Sequence, residues 1–298
     1  MPQPPVMILG CMRSGTTFLA DKLCGHPQLL KIGLELSHVW EELTDVSIYG
    51  ECKAADAADY KPEYTFRFSK YLDQAIRESR SLKRSLMRLK LKMAKNNGRV
   101  FYDWNNVIPV LKSTHLLNKV PFVTRVLPGV KVVFIVRDVY AQTASLKRHA
   151  EKQLEKGVAI RFPKAESACW SIGDAKPGDT TAIPISDLAK MWLRLNTMAL
   201  RELSALDGEQ VHVIRYEDLV NDQSHSLRKV FDFLQLDKRH RSAEEKVLRE
   251  QSKIYNTTTS GDVLTKWKDQ LTADEQDAIK GVLDAHAEEV AFINGFLG

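Results

Sequence analysis

The chain has 298 residues, 44% of them hydrophobic, with 43 Lys and Arg against 38 Asp and Glu for a formal net charge of +5. That length buries one large core without disulfide staples, and so mild a basic excess with no nucleic-acid-binding motif argues against a nucleic-acid binder. The four cysteines (Cys11, Cys24, Cys52 and Cys169) match no CxxC or zinc spacing, and no apolar run reaches the roughly 20 residues that span a bilayer.

The opening MPQPPVMILG has no basic n-region ahead of its apolar run, which is not a leader pattern. With scattered thiols and no membrane span, the expectation is a cytoplasmic protein that uses no metal. Val6 to Leu9 reads as a buried parallel strand ending at Gly10. Thr17 to Cys24 has helical spacing, with Phe18, Leu19 and Leu23 on one face, and His26-Pro27 ends it because the residue before proline is pushed out of the α region.

Residues 40 to 100 are the least legible. Tyr71 to Lys95 is read as helical, with Leu82, Leu86, Leu89 and Met93 at helical spacing. The stretch 80 to 99 carries Arg80, Lys83, Arg84, Arg88, Lys90, Lys92, Lys95 and Arg99, and no acid falls between Ser81 and Tyr102. Such a basic amphipathic helix is a solvated face, a rim for an anionic acceptor, or a weak contact with a membrane surface.

Lys131 to Val136 is a second strand, rich in β-branched residues, followed by Arg137-Asp138 and a helix to about Leu154. Gly157 to Pro184 holds enough Gly and Pro to read as a long loop, a lid or binding element. Ser186 to Leu206 is helical, Val211 to Arg215 is a third strand, and Ser224 to Leu234 and Thr272 to Phe292 are helical, the latter opened by a Thr272/Glu275 capping box. Strands alternating with helices predict one α/β domain over 1–298, a phosphate-loop-like parallel sheet flanked by helices, with insertions at about 43–100 and 155–185.

The sharpest motif is Gly10-Cys11-Met12-Arg13-Ser14-Gly15-Thr16-Thr17, between a strand and a helix. The glycines permit a tight path along which loop amides and the helix N-terminus converge on an anion. A nucleoside-triphosphate loop needs a lysine directly after its second glycine. Thr16 stands there instead, and Arg13 is the loop's only cation. A triphosphate with magnesium therefore fits poorly, and a smaller phosphate-sulfate group held by Arg13, Ser14, Gly15, Thr16 and Thr17 fits better. A kinase or nucleotide hydrolase could claim only Asp138 as a magnesium ligand. A non-catalytic binder of anionic polymer or membrane would leave the loop unexplained.

CMRSGTT resembles the 5′-phosphosulfate loop of sulfotransferases that use 3′-phosphoadenosine 5′-phosphosulfate (PAPS). The second landmark of that family, an Arg at a strand end with a Ser eight residues on, is matched by Arg137 and Ser145 in VVFIVRDVYAQTAS. VIRYEDLVND, with Tyr216 as a cofactor-binding candidate, resembles the strand and acidic turn found late in the family, and LTKWKDQLT, with Thr265, Lys266 and Trp267, resembles the late segment that closes over the adenine and 3′-phosphate. The branch resembled is that of the protein-tyrosine, carbohydrate and bacterial enzymes. The resemblance implies sulfuryl transfer to a hydroxyl or amine by in-line displacement, with release of 3′,5′-adenosine bisphosphate (PAP) and no metal. The acceptor, unnamed by the sequence, would be a small molecule, lipid or carbohydrate. Arg13 would neutralise the leaving group, Lys112 would assist, and Glu35 would take the acceptor's proton. Glu41 and Glu42 compete with Glu35, and His115, three residues after Lys112, is the competing base; His38 is an ordinary polar residue near the cleft.

Overall fold

The computed structural model describes residues 3–47, 54–81, 101–157, 161–163, 169–171, 185–250 and 262–297. The strands are β1 (Val6–Leu9), β2 (Leu29–Lys31), β3 (Ile108–Ser113), β4 (Lys131–Val136), β5 (Arg161–Pro163), β6 (Cys169–Ser171) and β7 (Val211–Arg215). Five of them form one sheet in the order β2-β3-β1-β4-β7, and every pairing in it is parallel. β1 is buried at all four positions. Its alternate residues enter two cores: Met7 and Leu9 face one layer of helices, Val6 and Ile8 the other. A strand buried on both faces needs apolar side chains on both, which is why VMIL and VVFIV are continuous runs rather than alternating ones.

One helical layer contains α1 (Thr16–Leu23). The opposite layer contains α2 (Ser37–Thr44), α3 (Pro62–Arg80), α4 (Val120–Val126), α5 (Val139–Leu154) and α6 (Ile185–Ser204). After β7 come α7 (Tyr216–Asn221), α8 (Gln223–Leu234) and α9 (Arg241–Arg249), which complete the first layer. Finally α10 (Trp267–Gln270), α11 (Ala273–Ala285) and α12 (Ala287–Gly295) pack against the second.

Three expectations are corrected. The helix expected over Tyr71 to Lys95 begins nine residues earlier, with Pro62 at its first position, and ends at Arg80, where Ser81 is extended (φ −60°, ψ 139°). Proline pre-sets the helical φ of a first turn, so Pro62 was the start signal. The basic stretch beyond Ser81 lies outside the described residues. The region read as a loop from Gly157 to Pro184 contains an antiparallel ribbon, β5 with β6, its remainder lying outside the described residues. The C-terminal helix is two helices, broken at His286. The Thr272/Glu275 capping box is present: Thr272 Oγ1 accepts from the Glu275 amide at 3.2 Å, and Glu275 Oε2 accepts from the Thr272 amide at 2.9 Å.

Because the strands are parallel, their carboxyl ends share one edge, where ligands of open α/β sheets bind. Read across the sheet, that edge carries Glu35 after β2, Lys112 on β3, Arg13 after β1, Arg137 after β4 and Tyr216 after β7.

Candidate active site

The loop after β1 turns twice through left-handed backbone, at Arg13 (φ 68°) and Gly15 (φ 102°). The Ser14 amide closes a turn onto the Cys11 carbonyl at 3.1 Å. Gly15 is the N-cap of α1 and offers no side-chain cap. The first-turn amides of α1 are therefore left to an external acceptor. Both glycines are forced by close approach. A Cβ at Gly10 would lie 2.6 Å from the Ile135 carbonyl oxygen and from Ser14 Oγ, and one at Gly15 would lie 2.4 Å from the Tyr216 ring. Ser14 Oγ is buried within the loop and has no hydrogen-bond partner. Behind the loop, burial pushes the Cys11 thiol up to about 12, so it stays protonated and inert.

Arg137 leaves β4 and crosses the loop. Its guanidinium donates to the Arg13 carbonyl at 3.0 Å and to the Val263 carbonyl at 3.3 Å. It lies 4.5 Å from the centre of the Tyr216 ring. Its hydrogen bonds thus go to carbonyls rather than to an acid, and its Nε is buried without a partner. Arg13 Nε donates to Ser145 Oγ, the residue eight after Arg137, at 3.2 Å. The two motifs read separately in the sequence are therefore joined in space.

The segment 262–267 folds over the same place. Lys266 has its basicity lowered by burial and then by Arg137, Arg148 and Arg13, so four cations converge here. Burial and Arg137 lower Arg13 in the same way. Like charges this close favour an anion between them. Thr265 Oγ1 donates to Asp262 at 3.1 Å, and Trp267 stacks on Tyr140 at 4.8 Å. The Trp267 ring therefore already has an aromatic neighbour on one face.

At the β2–β3 side, Lys112 is 5% exposed and pairs with Glu35 Oε1, while Glu35 Oε2 is buried with no hydrogen-bond partner. Gly33, left-handed at φ 66°, swings the chain back so that Glu35 meets β3. Glu42 is exposed, and so is His38. Glu41 acts on Lys119. His115 is close to both lysines: burial, then Lys112 and Lys119, hold it down at about 4.

Lys119, Trp192 and Glu217 were not singled out from the sequence. Lys119 is 1% exposed and held down at about 8 by burial. Its signal was a lone cation inside the apolar run HLLNKVPF. Trp192 and Glu217 had no local signal, because both act on distant backbone.

Among the described residues no group of three His, Cys, Asp or Glu is arranged to hold a metal, and no helix is long and apolar enough to cross a membrane. Asp138 caps α5, its Oδ1 accepting from the Ala141 amide at 2.8 Å. One oxygen of the residue a kinase reading could claim as a magnesium ligand is thus committed to the helix cap.

The chain was compared with known proteins. No curated protein matches it. Among solved structures, several sulfotransferases match at low identity. A sulfotransferase domain from the curacin biosynthetic pathway is 18% identical, with 96% of this chain and 99% of that one covered and a TM-score of 0.48. A sulfotransferase from Alicyclobacillus acidocaldarius is 14% identical over 96% of each chain, with a TM-score of 0.46. Mouse sulfotransferase SULT7A1 complexed with PAP is 11% identical, covering 99% and 88%, with a TM-score of 0.47. The model of the sulfotransferase family matches residues 4–240, which hold the loop, both bases considered, Arg137, Ser145 and Tyr216. The chain belongs to the sulfotransferase family and is an enzyme of sulfuryl transfer.

Proposed function

We propose that this enzyme moves a sulfuryl group from PAPS to a hydroxyl or amine acceptor and releases PAP. The observation that carries this reading is Arg137: a strand-end guanidinium that, among the described residues, bonds only to carbonyls, with a buried unpartnered Nε, above a loop that lacks the triphosphate-binding lysine. Arg137, Ser145 and Lys266 would hold the 3′-phosphate, and Arg13 with Ser14, Gly15, Thr16 and Thr17 the 5′ end. Trp267 and Thr265 would border the adenosine. PAPS supplies the sulfuryl group and a leaving phosphate. Arg13 faces the charge that develops there, as a fixed cation should in a loose transition state.

Glu35 takes the acceptor's proton at Oε2, while Lys112 holds the carboxylate by Oε1 and adds positive charge at the reacting end. His115 is the weaker base. Burial first, and then the charges of Lys112 and Lys119, disfavour its protonated form and hold it at about 4. The acceptor enters from the β2–β3 side, and a small molecule, lipid or carbohydrate suits the site. The buried Cys11 thiol, far from any disulfide-dependent scaffold in a chain of this size, suits a reducing compartment such as the cytoplasm.

The test is transfer from ³⁵S-labelled PAPS across a panel of phenols, alcohols, amines and sugars. Label on any acceptor, lost in Glu35→Gln, supports the reading. Failure of the wild type to bind PAP would overturn it.

A further inference from the structure

Arg137 is aimed by one peptide group. The carbonyl of Arg137 and the amide of Asp138 are the two ends of a single peptide bond, and each end is gripped by a side chain from a different helix. Trp192 Nε1, on α6, donates to the Arg137 carbonyl at 2.9 Å. Glu217 Oε1, in the first turn of α7, accepts from the Asp138 amide at 3.0 Å. The grip is shielded from water: Trp192 is 5% exposed and the Glu217 side chain 14%. A peptide group is planar, so holding it at both ends fixes ψ of Arg137 and φ of Asp138 together. Those two dihedrals decide where β4 stops and where α5 starts, and gripping the Arg137 carbonyl also pins the N–Cα–C frame from which its side chain extends.

Glu217 is kept at a cost. Burial raises its pKa above the usual carboxylate value, and its second oxygen has no hydrogen-bond partner among the described residues, with Arg215 Nε at 3.5 Å. Nothing about the Glu217–Asp138 contact needs a charge, because an amide oxygen could accept the same N–H. Trp192 is likewise more than filler, since a phenyl ring would occupy much of the space without the donor.

We propose that Trp192 and Glu217 are positioning residues that clamp the Arg137–Asp138 peptide and so set the enzyme's preference for nucleotides that carry a 3′-phosphate. The proposal rests on the PAPS reading above. It also links the 3′-phosphate end of the site to α6 and α7, so displacement of either helix would weaken nucleotide selectivity before it unfolded the sheet.

The experiment is calorimetric titration of PAP and of adenosine 5′-monophosphate into the wild type, Trp192→Phe, Glu217→Ala and Glu217→Gln. Losing one buried hydrogen bond that orients Arg137 should weaken PAP about tenfold in Trp192→Phe and Glu217→Ala, and leave the monophosphate within about twofold. Glu217→Gln, which keeps an acceptor oxygen, should stay within about threefold of the wild type for PAP. Equal weakening of both nucleotides, or none in either variant, overturns the clamp, because a merely structural role would not move their ratio. Glu217→Gln behaving like Glu217→Ala overturns the part assigned to Glu217. A wild type that does not prefer PAP to the monophosphate overturns the donor reading itself, which separates the two failures.

Discussion

Arg13 Nε donates to Ser145 Oγ across 132 residues of sequence, so the loop after β1 and the helix after β4 meet at one hydrogen bond. In the proposed assignment of the site, the contact ties the 5′ end of the nucleotide to its 3′ end. Arg13→Ala should lower turnover by about 10²–10³-fold, the usual loss when one transition-state donor is removed. Ser145→Ala should weaken PAP about tenfold while moving the unfolding free energy by less than about 0.5 kcal/mol. Single-turnover kinetics and calorimetry check the two effects, and unchanged turnover in Arg13→Ala would remove Arg13 from the chemistry.

The Glu35–Lys112 pair gives the second expectation. Glu35→Gln should abolish most turnover and spare PAP binding, because Glu35 sits at the β2–β3 side of the edge and the nucleotide motifs sit at β1 and β4. Steady-state rates beside a PAP titration separate the two. If His115→Ala produces that pattern and Glu35→Gln does not, the base is His115.

Gly15 has no room to be anything else. In Gly15→Ala the new Cβ would meet the Tyr216 ring at 2.4 Å, at a φ of 102° that side chains rarely adopt. Strain of this kind costs about 1–3 kcal/mol. Thermal unfolding should fall accordingly, with weaker PAP binding in the folded protein. A Gly15→Ala protein that melts and binds like the wild type would mean that the loop adopts another path.

Acid should destabilise the fold through His26, at the far end of the molecule from the site. His26 is fully buried, its Nδ1 accepts from the Gln28 amide at 3.2 Å, and burial, then His240, hold it down to about 4 from an ordinary 6.5. Its folded value lies below its unfolded one, so the unfolded chain binds the proton more readily. The stability it contributes is therefore present above about pH 6.5 and is lost as pH falls toward 4, by an amount on the order of 3 kcal/mol. His115 adds in the same direction. Chemical denaturation at several pH values should show this slope, and His26→Asn, whose amide oxygen can replace Nδ1, should reduce it by about one proton. An unchanged slope in His26→Asn would place the acid sensitivity elsewhere.

Much of the nucleotide side could be read from local pattern. VMIL followed by a glycine loop, and KVVFIV followed by Arg137, are strands buried on both faces that end in polar residues, and a continuous apolar run states that plainly. The Thr272 cap is written in four consecutive residues. The acceptor side was harder. β2 has three residues, too few to show a period, and β3 carries Pro109, which argues locally against a strand. Glu35 and Lys112 lie 77 residues apart, and no local rule predicts such a pair. Trp192 and Glu217 were hidden for the same reason: what they hold is a backbone group, and backbone groups leave no letter in the sequence. The basic run after Ser81 lies outside the described residues, so only the start of that expected helix and the stop at Arg80 could be compared with α3.

The most direct measurement is a thermal-shift titration of the wild type with PAP beside ATP and magnesium. At one hundred times its dissociation constant, PAP should stabilise the fold by about 2.7 kcal/mol, a shift of several degrees. Stabilisation by PAP and not by ATP with magnesium is the predicted result, because Thr16 stands where a triphosphate loop needs its lysine. Stabilisation by ATP with magnesium alone would contradict the account and return the loop to the nucleoside-triphosphate enzymes.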